Sequence, residues 1–134
     1  MNPLADSFAL AASGMQAQAT RLRHVSENIA NADTPGYRRK TVDFRVSPAQ
    51  AGRAEGGGPG VQVGPVRLDP RALAQVYDPA HPLADETGHY LGSNVALMLE
   101  VADAREAQRG YEANLRMFDQ TRQMAQGLLE LLRR

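Results

Sequence analysis

Apolar positions recur every three to four residues over the last forty residues of the chain. One series takes every seventh residue from Leu97 and a second takes every seventh from Val101, and nine of their eleven positions are apolar or aromatic. A proline-free repeat of about 3.5 residues is typical of a coiled-coil helix. We therefore predict a long amphipathic helix over residues 94–134. The two series are Leu97, Ala104, Tyr111, Phe118, Ala125, Leu132 and Val101, Gln108, Leu115, Arg122, Leu129.

The first thirty residues carry the same repeat. Asn2 suits a helix N-cap and Pro3 suits the first helical position, while Asn31 is a residue that commonly ends helices. Residues 1–33 are therefore predicted to form the second coiled-coil half, with only Gln18 polar in its two series, and whether Gln18 meets Gln108 is left open. Across both helices, the seam predicted to serve assembly comprises Leu4, Phe8, Met15, Leu22, Val25, Ile29, Leu97, Val101, Tyr111, Leu115, Phe118, Leu129 and Leu132.

Residues 34–93 read as a turn followed by a small β-rich region. The sequence from Thr34 to Tyr37 fits a type II turn, with Pro35 at the second position and Gly36 supplying positive φ at the third. Alternation over 42–46, the valines of 61–66, and the segments 73–77 and 89–91 predict short strands. Residues 47–60 are rich in glycine and predict a flexible loop. The fold class is mainly α with a small β region, and Ser93 or Asn94 is expected to cap the last helix.

The two predicted helices differ in length. At about 1.5 Å per residue, helices over 3–30 and 95–132 would span roughly 42 and 57 Å. If they pair antiparallel, on the order of 15 Å of the second helix lacks an internal partner. Four leucines fall within residues 128–132. We expect this C-terminal stretch to be the part that overhangs.

Composition excludes several classes of function. Fifteen basic residues balance fifteen acidic ones, so no basic field indicates nucleic acid, and no cysteine is present for disulfides or thiolate sites. No nucleophile or acid pair indicates catalysis, and no cleaved secretory signal is expected. One cluster of acidic and histidine residues could in principle hold a metal, but its residues are more simply read as turn formers. That cluster is Asp78, His81, Asp85, Glu86 and His89.

Residues 26–38, SENIANADTPGYR, resemble the signature of the bacterial flagellar axial proteins, the rod and hook family. The resemblance implies a structural subunit, not an enzyme, that assembles helically with copies of itself and other rod proteins into the hollow shaft transmitting motor torque. It also implies delivery to the rod in the periplasm by the flagellar type III export apparatus, with no cofactor, metal or small-molecule substrate. The motif residues are Asn28, Ile29, Asn31, Thr34, Pro35, Gly36 and Tyr37.

Two further segments resemble one particular subunit of the proximal rod. They are residues 76–82, VYDPAHP, and residues 109–114, RGYEAN. Another proximal rod subunit shares the turn signature and is one alternative. An unrelated helical hairpin that binds client helices, as a chaperone does, is the other.

Overall fold

The computed structural model describes residues 2–47 and 59–134. Within these residues, six short strands lie along the chain between two long helices. The helices are α1 (Pro3–Ala30) and α2 (Leu97–Leu132). The strands are β1 (Lys40–Thr41), β2 (Phe44–Ser47), β3 (Gly60–Val63), β4 (Arg67–Leu68), β5 (Gln75–Tyr77) and β6 (His89–Leu91). The predicted class, mainly α with a small β region, is confirmed.

Helix α1 begins as its sequence predicts. The Asn2 side-chain oxygen accepts hydrogen bonds from the N–H groups of Leu4 at 3.2 Å and Ala5 at 3.4 Å. Pro3 occupies the first turn, where its missing N–H leaves no hydrogen bond unmade. The helix ends at Ala30, with Asn31 in the C-cap position, as predicted.

Helix α2 begins later than predicted, and the predicted cap is wrong. Its N-cap is Ala96, which makes no side-chain cap hydrogen bond. Ser93 and Asn94 are used elsewhere: the Ser93 hydroxyl donates to the Ala32 carbonyl, and the Asn94 amide donates to the Asp69 carbonyl at 3.0 Å. Ser93 attaches the segment before α2 to the end of α1, and Asn94 attaches it to the residue after β4, so neither side chain caps α2.

In its described part, residues 34–47 and 59–93, the β region consists of three two-stranded antiparallel ribbons. Strand β1 pairs with β4, β2 with β3, and β5 with β6. The strand predicted over 42–46 is corrected, because β2 starts at Phe44 and Val46 is 83% exposed rather than half-buried. The predicted loop over 47–60 lies mostly outside the described residues, although its ends, Ser47 and Gly60, pair across the ribbon.

The two helices pack antiparallel against each other. Phe8 lies edge-to-face against Phe118 with ring centroids 4.9 Å apart, and Arg21 meets Asp103 near the other end of α1. Among the residues that the structure describes, the buried apolar side chains are few and mostly small: Ala11, Ala17, Val25 and Ala107. Across the described residues, neither helix is apolar enough over a sufficient length to cross a bilayer.

Candidate assembly surfaces and the helix–turn junction

The turn after α1 has the predicted geometry. The Tyr37 N–H donates to the Thr34 carbonyl at 3.2 Å, and Gly36 has a φ of 75°, which glycine adopts without strain. The Gly36 N–H also donates to the carbonyls of Leu91 at 3.2 Å and Gly92 at 3.1 Å, at the end of β6. The turn therefore attaches the end of α1 to the β region.

The other motif residues play unequal parts. The Asn31 amide donates to the Glu27 carbonyl at 2.9 Å, and its side-chain oxygen accepts from the Thr34 hydroxyl at 3.2 Å. Asn31 thus links the last turn of α1 to the turn beyond it. Pro35 lies exposed in the turn, and Ile29 is 40% exposed on the helix surface.

Asn28 is the centre of a buried polar cluster that joins three elements. Its amide nitrogen donates to the Lys40 carbonyl at 2.9 Å and to the Glu100 carboxylate at 3.2 Å. Its oxygen accepts from the Lys40 N–H and the Tyr37 hydroxyl, each at 2.9 Å. All the hydrogen-bonding positions of this amide are used, so Asn28 fixes α1, the turn, β1 and α2 relative to one another.

Arg39 neutralises the acidic side chains that α2 brings to this cluster. Its guanidinium binds the fully buried Glu100 carboxylate and donates to Asp103 at 2.5 Å, and Asp69 lies 3.9 Å away. Arg21 of α1 also reaches Asp103 at 3.4 Å. A buried carboxylate is tolerated only when it is paired and hydrogen-bonded, which Arg39 and Asn28 together achieve.

Asp69 connects the β4 end to the same network. Its carboxylate accepts from the Arg71 guanidinium at 2.6 and 2.9 Å, and Arg71 lowers the Asp69 pKa to about 2. Its carbonyl accepts from Asn94 and from Arg38, at 3.0 and 3.1 Å. The segment leading into α2 is therefore held by an aspartate that stays ionised.

Three titratable groups at the junction have fixed charge states at neutral pH. The hydrogen bond from Lys40 lowers the pKa of Glu27, and the same bond raises the pKa of Lys40. Burial raises the pKa of Tyr37, which keeps its hydroxyl a donor to Asn28. The hydrogen bonds that set these charge states are made between residues of the junction itself.

The contact between α1 and α2 uses small and polar residues. A Cβ on Gly14 would overlap the Asn114 side chain, and one on Gly110 would overlap the Gln18 side chain. Gln18 therefore packs against Gly110, and the exposed Gln108 is not its partner. Glycine at these positions permits close approach of the two helices.

The predicted apolar series divide between this contact and the surface. On α2, Ala104 and Phe118 face the partner helix, but the buried positions of the second series are Glu100, Ala107 and Thr121, each one residue before a predicted one. On α1 the buried residues likewise include Gly14 and Asn28 rather than Met15 and Ile29. The displaced large residues remain exposed on α2: Leu97, Val101, Leu115, Leu129 and Leu132 are 42–83% exposed.

The C-terminal end of α2 extends beyond its partner. Because Phe8 lies against Phe118 and α1 starts five residues earlier, α1 reaches to about residue 123 of α2, leaving roughly 12 Å unpaired. Leu128, Leu129, Leu131 and Leu132 are 50–83% exposed. The expected C-terminal overhang is confirmed.

The acidic and histidine residues of the β5–β6 connection serve the local turns. Asp85 accepts from the N–H groups of Thr87 at 2.9 Å and His89 at 3.1 Å, and His81 stacks on Tyr90 with centroids 3.9 Å apart. Within residues 2–47 and 59–134, no three metal-ligating side chains come together. The structure therefore favours the turn-forming interpretation of this cluster.

Sequence reasoning missed the partners of the motif. Arg39, Asp69 and Glu100 hold Asn28 and the start of α2 in place, and no sequence pattern predicted these contacts. Asn94 was expected to cap α2 but instead binds the Asp69 carbonyl. An acidic residue among apolar neighbours, as in Leu-Glu-Val at 99–101, was the one available signal. This pattern indicates that Glu100 lies in an unusual environment, but it does not identify the residues that bind the Glu100 carboxylate.

Comparison with known proteins gives matches at both ends of the chain and over its full length. The family model described as Flagella basal body rod protein matches residues 8–38, and that described as Flagellar basal body rod FlgEFG protein C-terminal matches residues 86–131. Flagellar basal-body rod protein FlgC of Agrobacterium fabrum is 42% identical over 99% of this chain and 98% of its own length. The chain belongs to the FlgC family of flagellar basal-body rod proteins.

Other FlgC proteins support the same assignment. Those of Yersinia enterocolitica and Salmonella typhimurium are each 35% identical over 90% of this chain and 92% of their own length. The alternative rod subunit considered from the sequence is FlgB, and the relatives carry the name FlgC instead. The chain is thus a structural subunit of the flagellar rod, in the basal body, and its relatives are named for a structural part rather than for a reaction.

Proposed function

We propose that the chain is an axial subunit of the hollow rod that transmits torque from the flagellar motor to the hook, and that it packs there against copies of itself and other rod proteins. The observation that carries this proposal is the exposure of large apolar side chains along α2, including all four leucines of the overhang. Exposed apolar surface of this extent marks an interaction interface. In a tubular assembly, neighbouring subunits would cover this apolar surface of α2.

The junction suits a subunit that transmits torque. Asn28, Tyr37, Arg39 and Glu100 cross-link the helices to the turn and the first strand through directional bonds. Directional bonds resist changes in the angle between elements more than apolar contacts do, because their energy depends on geometry. We propose that the motif residues hold the helix pair at a constant angle to the β region while the rod rotates.

Location in the periplasm and delivery by the flagellar type III export apparatus without a cleaved signal belong to the same proposal. They rest on the family alone. The C-terminal end of α2, which has no partner within the described chain, would become ordered where it meets neighbouring subunits, since a helical segment is marginal without packing.

Truncation after Gln126 tests the proposal. It removes the overhanging leucines while leaving every contact between α1 and the remaining part of α2. The variant should be exported but absent from isolated basal bodies, and cells that carry it alone should not swim. Truncation after Leu132 is the matched control, because it removes only Arg133 and Arg134 and should leave swimming unchanged. Working rods built from the shorter chain would refute the proposed role of the overhang.

A further inference from the structure

A groove runs along one face of the helix pair, and its α1 wall carries no charge. The residues of its α1 wall recur every three or four positions. Each of them comes one position after a residue of α1 that packs against α2. Met15 of this wall and Tyr111 of α2 line the same shallow cavity of about 310 Å³. Strand β3 packs on α1 through Ser13, on the other side of Gly14. The wall residues are Ala12, Met15, Ala19, Leu22, Ser26 and Ile29.

The α2 wall of the groove is formed by Leu97 and by residues of the displaced second series, of which Val101 and Leu115 are apolar. In an antiparallel pair, positions one residue after the contact seam rotate to the same side on both helices. Leu97, Val101 and Leu115 therefore face the same side as Met15 and Ile29, and they are 42–53% exposed. Both walls thus present apolar side chains at the repeat that receives another helix.

A second uncharged stripe lies on the opposite side of α2. Its residues also follow a 3–4 spacing, each close to one position before the contact seam. Met117, Met124 and Leu131 in it are 48–65% exposed. Glycine weakens a helix, and at position 127 close packing does not require it, because an added Cβ would meet nothing within 4 Å in the described chain. The stripe is Ala113, Met117, Gln120, Met124, Gly127 and Leu131.

We propose that the groove of one copy receives the C-terminal half of α2 of a second copy through this stripe. This inference rests on the proposed function and specifies the contact between copies. The groove from 12 to 29 and the stripe from 113 to 131 have nearly equal lengths, about 26 and 27 Å. Neither the α1 wall nor the stripe carries a charge, so joining them desolvates no ion.

The geometry makes the contact heterologous. Groove and stripe lie on opposite sides of one molecule, so each copy offers the groove to one neighbour and the stripe to another. A contact of this type propagates laterally around an assembly instead of closing into an isolated dimer. Gly127 allows the backbone of the inserted helix to approach the groove closely.

Cysteine cross-linking tests the proposal, since the natural chain has no cysteine. Ala19→Cys in the groove and Gln120→Cys in the stripe alter exposed residues. Cells would co-express the two full-length variants, one of them with a size tag, and isolated basal bodies would be treated with a short bis-maleimide. The matched control replaces Gln120→Cys with Arg109→Cys, an exposed position on the face of α2 directed away from α1.

The expected result is a cross-linked product of tagged and untagged chains that is several-fold more abundant for A19C with Q120C than for A19C with R109C. Equal yields, or a dominant product between two A19C chains, would overturn the heterologous contact. The amount of chain in the basal bodies is read separately. Chain present without the expected product would reject this contact and leave the rod function standing, whereas chain absent from basal bodies in the unmodified form would reject the function itself.

Discussion

Replacing Asn28 tests whether the polar cluster determines the stability of the junction. Asn28→Ala removes two hydrogen bonds to the backbone of Lys40, one to Glu100 and one from Tyr37. Asn28 is 1% exposed, so water cannot readily replace the lost amide. At about 1 kcal/mol for each bond, the free energy of unfolding should fall by about 4 kcal/mol. That is a large part of the stability of a small domain.

Two matched variants separate hydrogen bonding from simple loss of volume. Asn28→Asp keeps the shape but loses both donor bonds. It also places a carboxylate oxygen where the amide nitrogen lies 3.2 Å from the Glu100 carboxylate, so it should destabilise at least as much as alanine at neutral pH. Asn31→Ala changes the same residue type three positions away. It loses bonds to Glu27 and Thr34 near the surface and should cost only about 1 kcal/mol.

Urea unfolding of the purified chain, followed by far-ultraviolet circular dichroism, measures these differences. We expect the free energy of unfolding to decrease in the order wild type, Asn31→Ala, Asn28→Ala. Asn28→Asp should be as unstable as Asn28→Ala or less stable. Equal unfolding midpoints for Asn28→Ala and Asn31→Ala would refute the central role of the buried amide. A stable Asn28→Asp variant would show that Glu100 does not need the donor.

Three further outcomes follow from individual contacts. Gly36→Val places a β-branched residue at a φ of 75° and should cost about 1–3 kcal/mol, with loss of swimming but continued export, measured by motility and secretion assays. Gly14→Val should lower the thermal unfolding midpoint by overlap with Asn114, a cost of about 1–3 kcal/mol, whereas Gly127→Ala meets no atom and should raise it. Because the pKa of Asp69 is lowered from 3.8 to about 2, the stability it contributes is complete above pH 3.8 and is lost as the pH falls toward 2. Acid titration of unfolding should show a shallower loss for Asp69→Asn over that window, and an unchanged slope would contradict this assignment.

The family assignment and the order of elements could be read from the sequence because both depend on local signals. The start of α1 follows from the Asn2-Pro3 cap, and the turn follows from the positive φ that only Gly36 supplies readily at its position. For helices that pair antiparallel, the overhang follows from their unequal lengths and from where the leucines lie. Local chemistry was sufficient for these features because short-range sterics and helix geometry determine them.

The side of each helix that is buried was decided only by tertiary structure. The 3.5-residue repeat is present, yet one of the two series on each helix is displaced by one residue, so that Gly14 is buried instead of Met15 and Ala107 instead of Gln108. Small residues allow close helix approach, and the buried Glu100 can face inward only because Arg39 arrives from a distant part of the chain. Hydrophobic periodicity cannot show this, since it describes what each residue would gain from burial and not which partner is present to bury it.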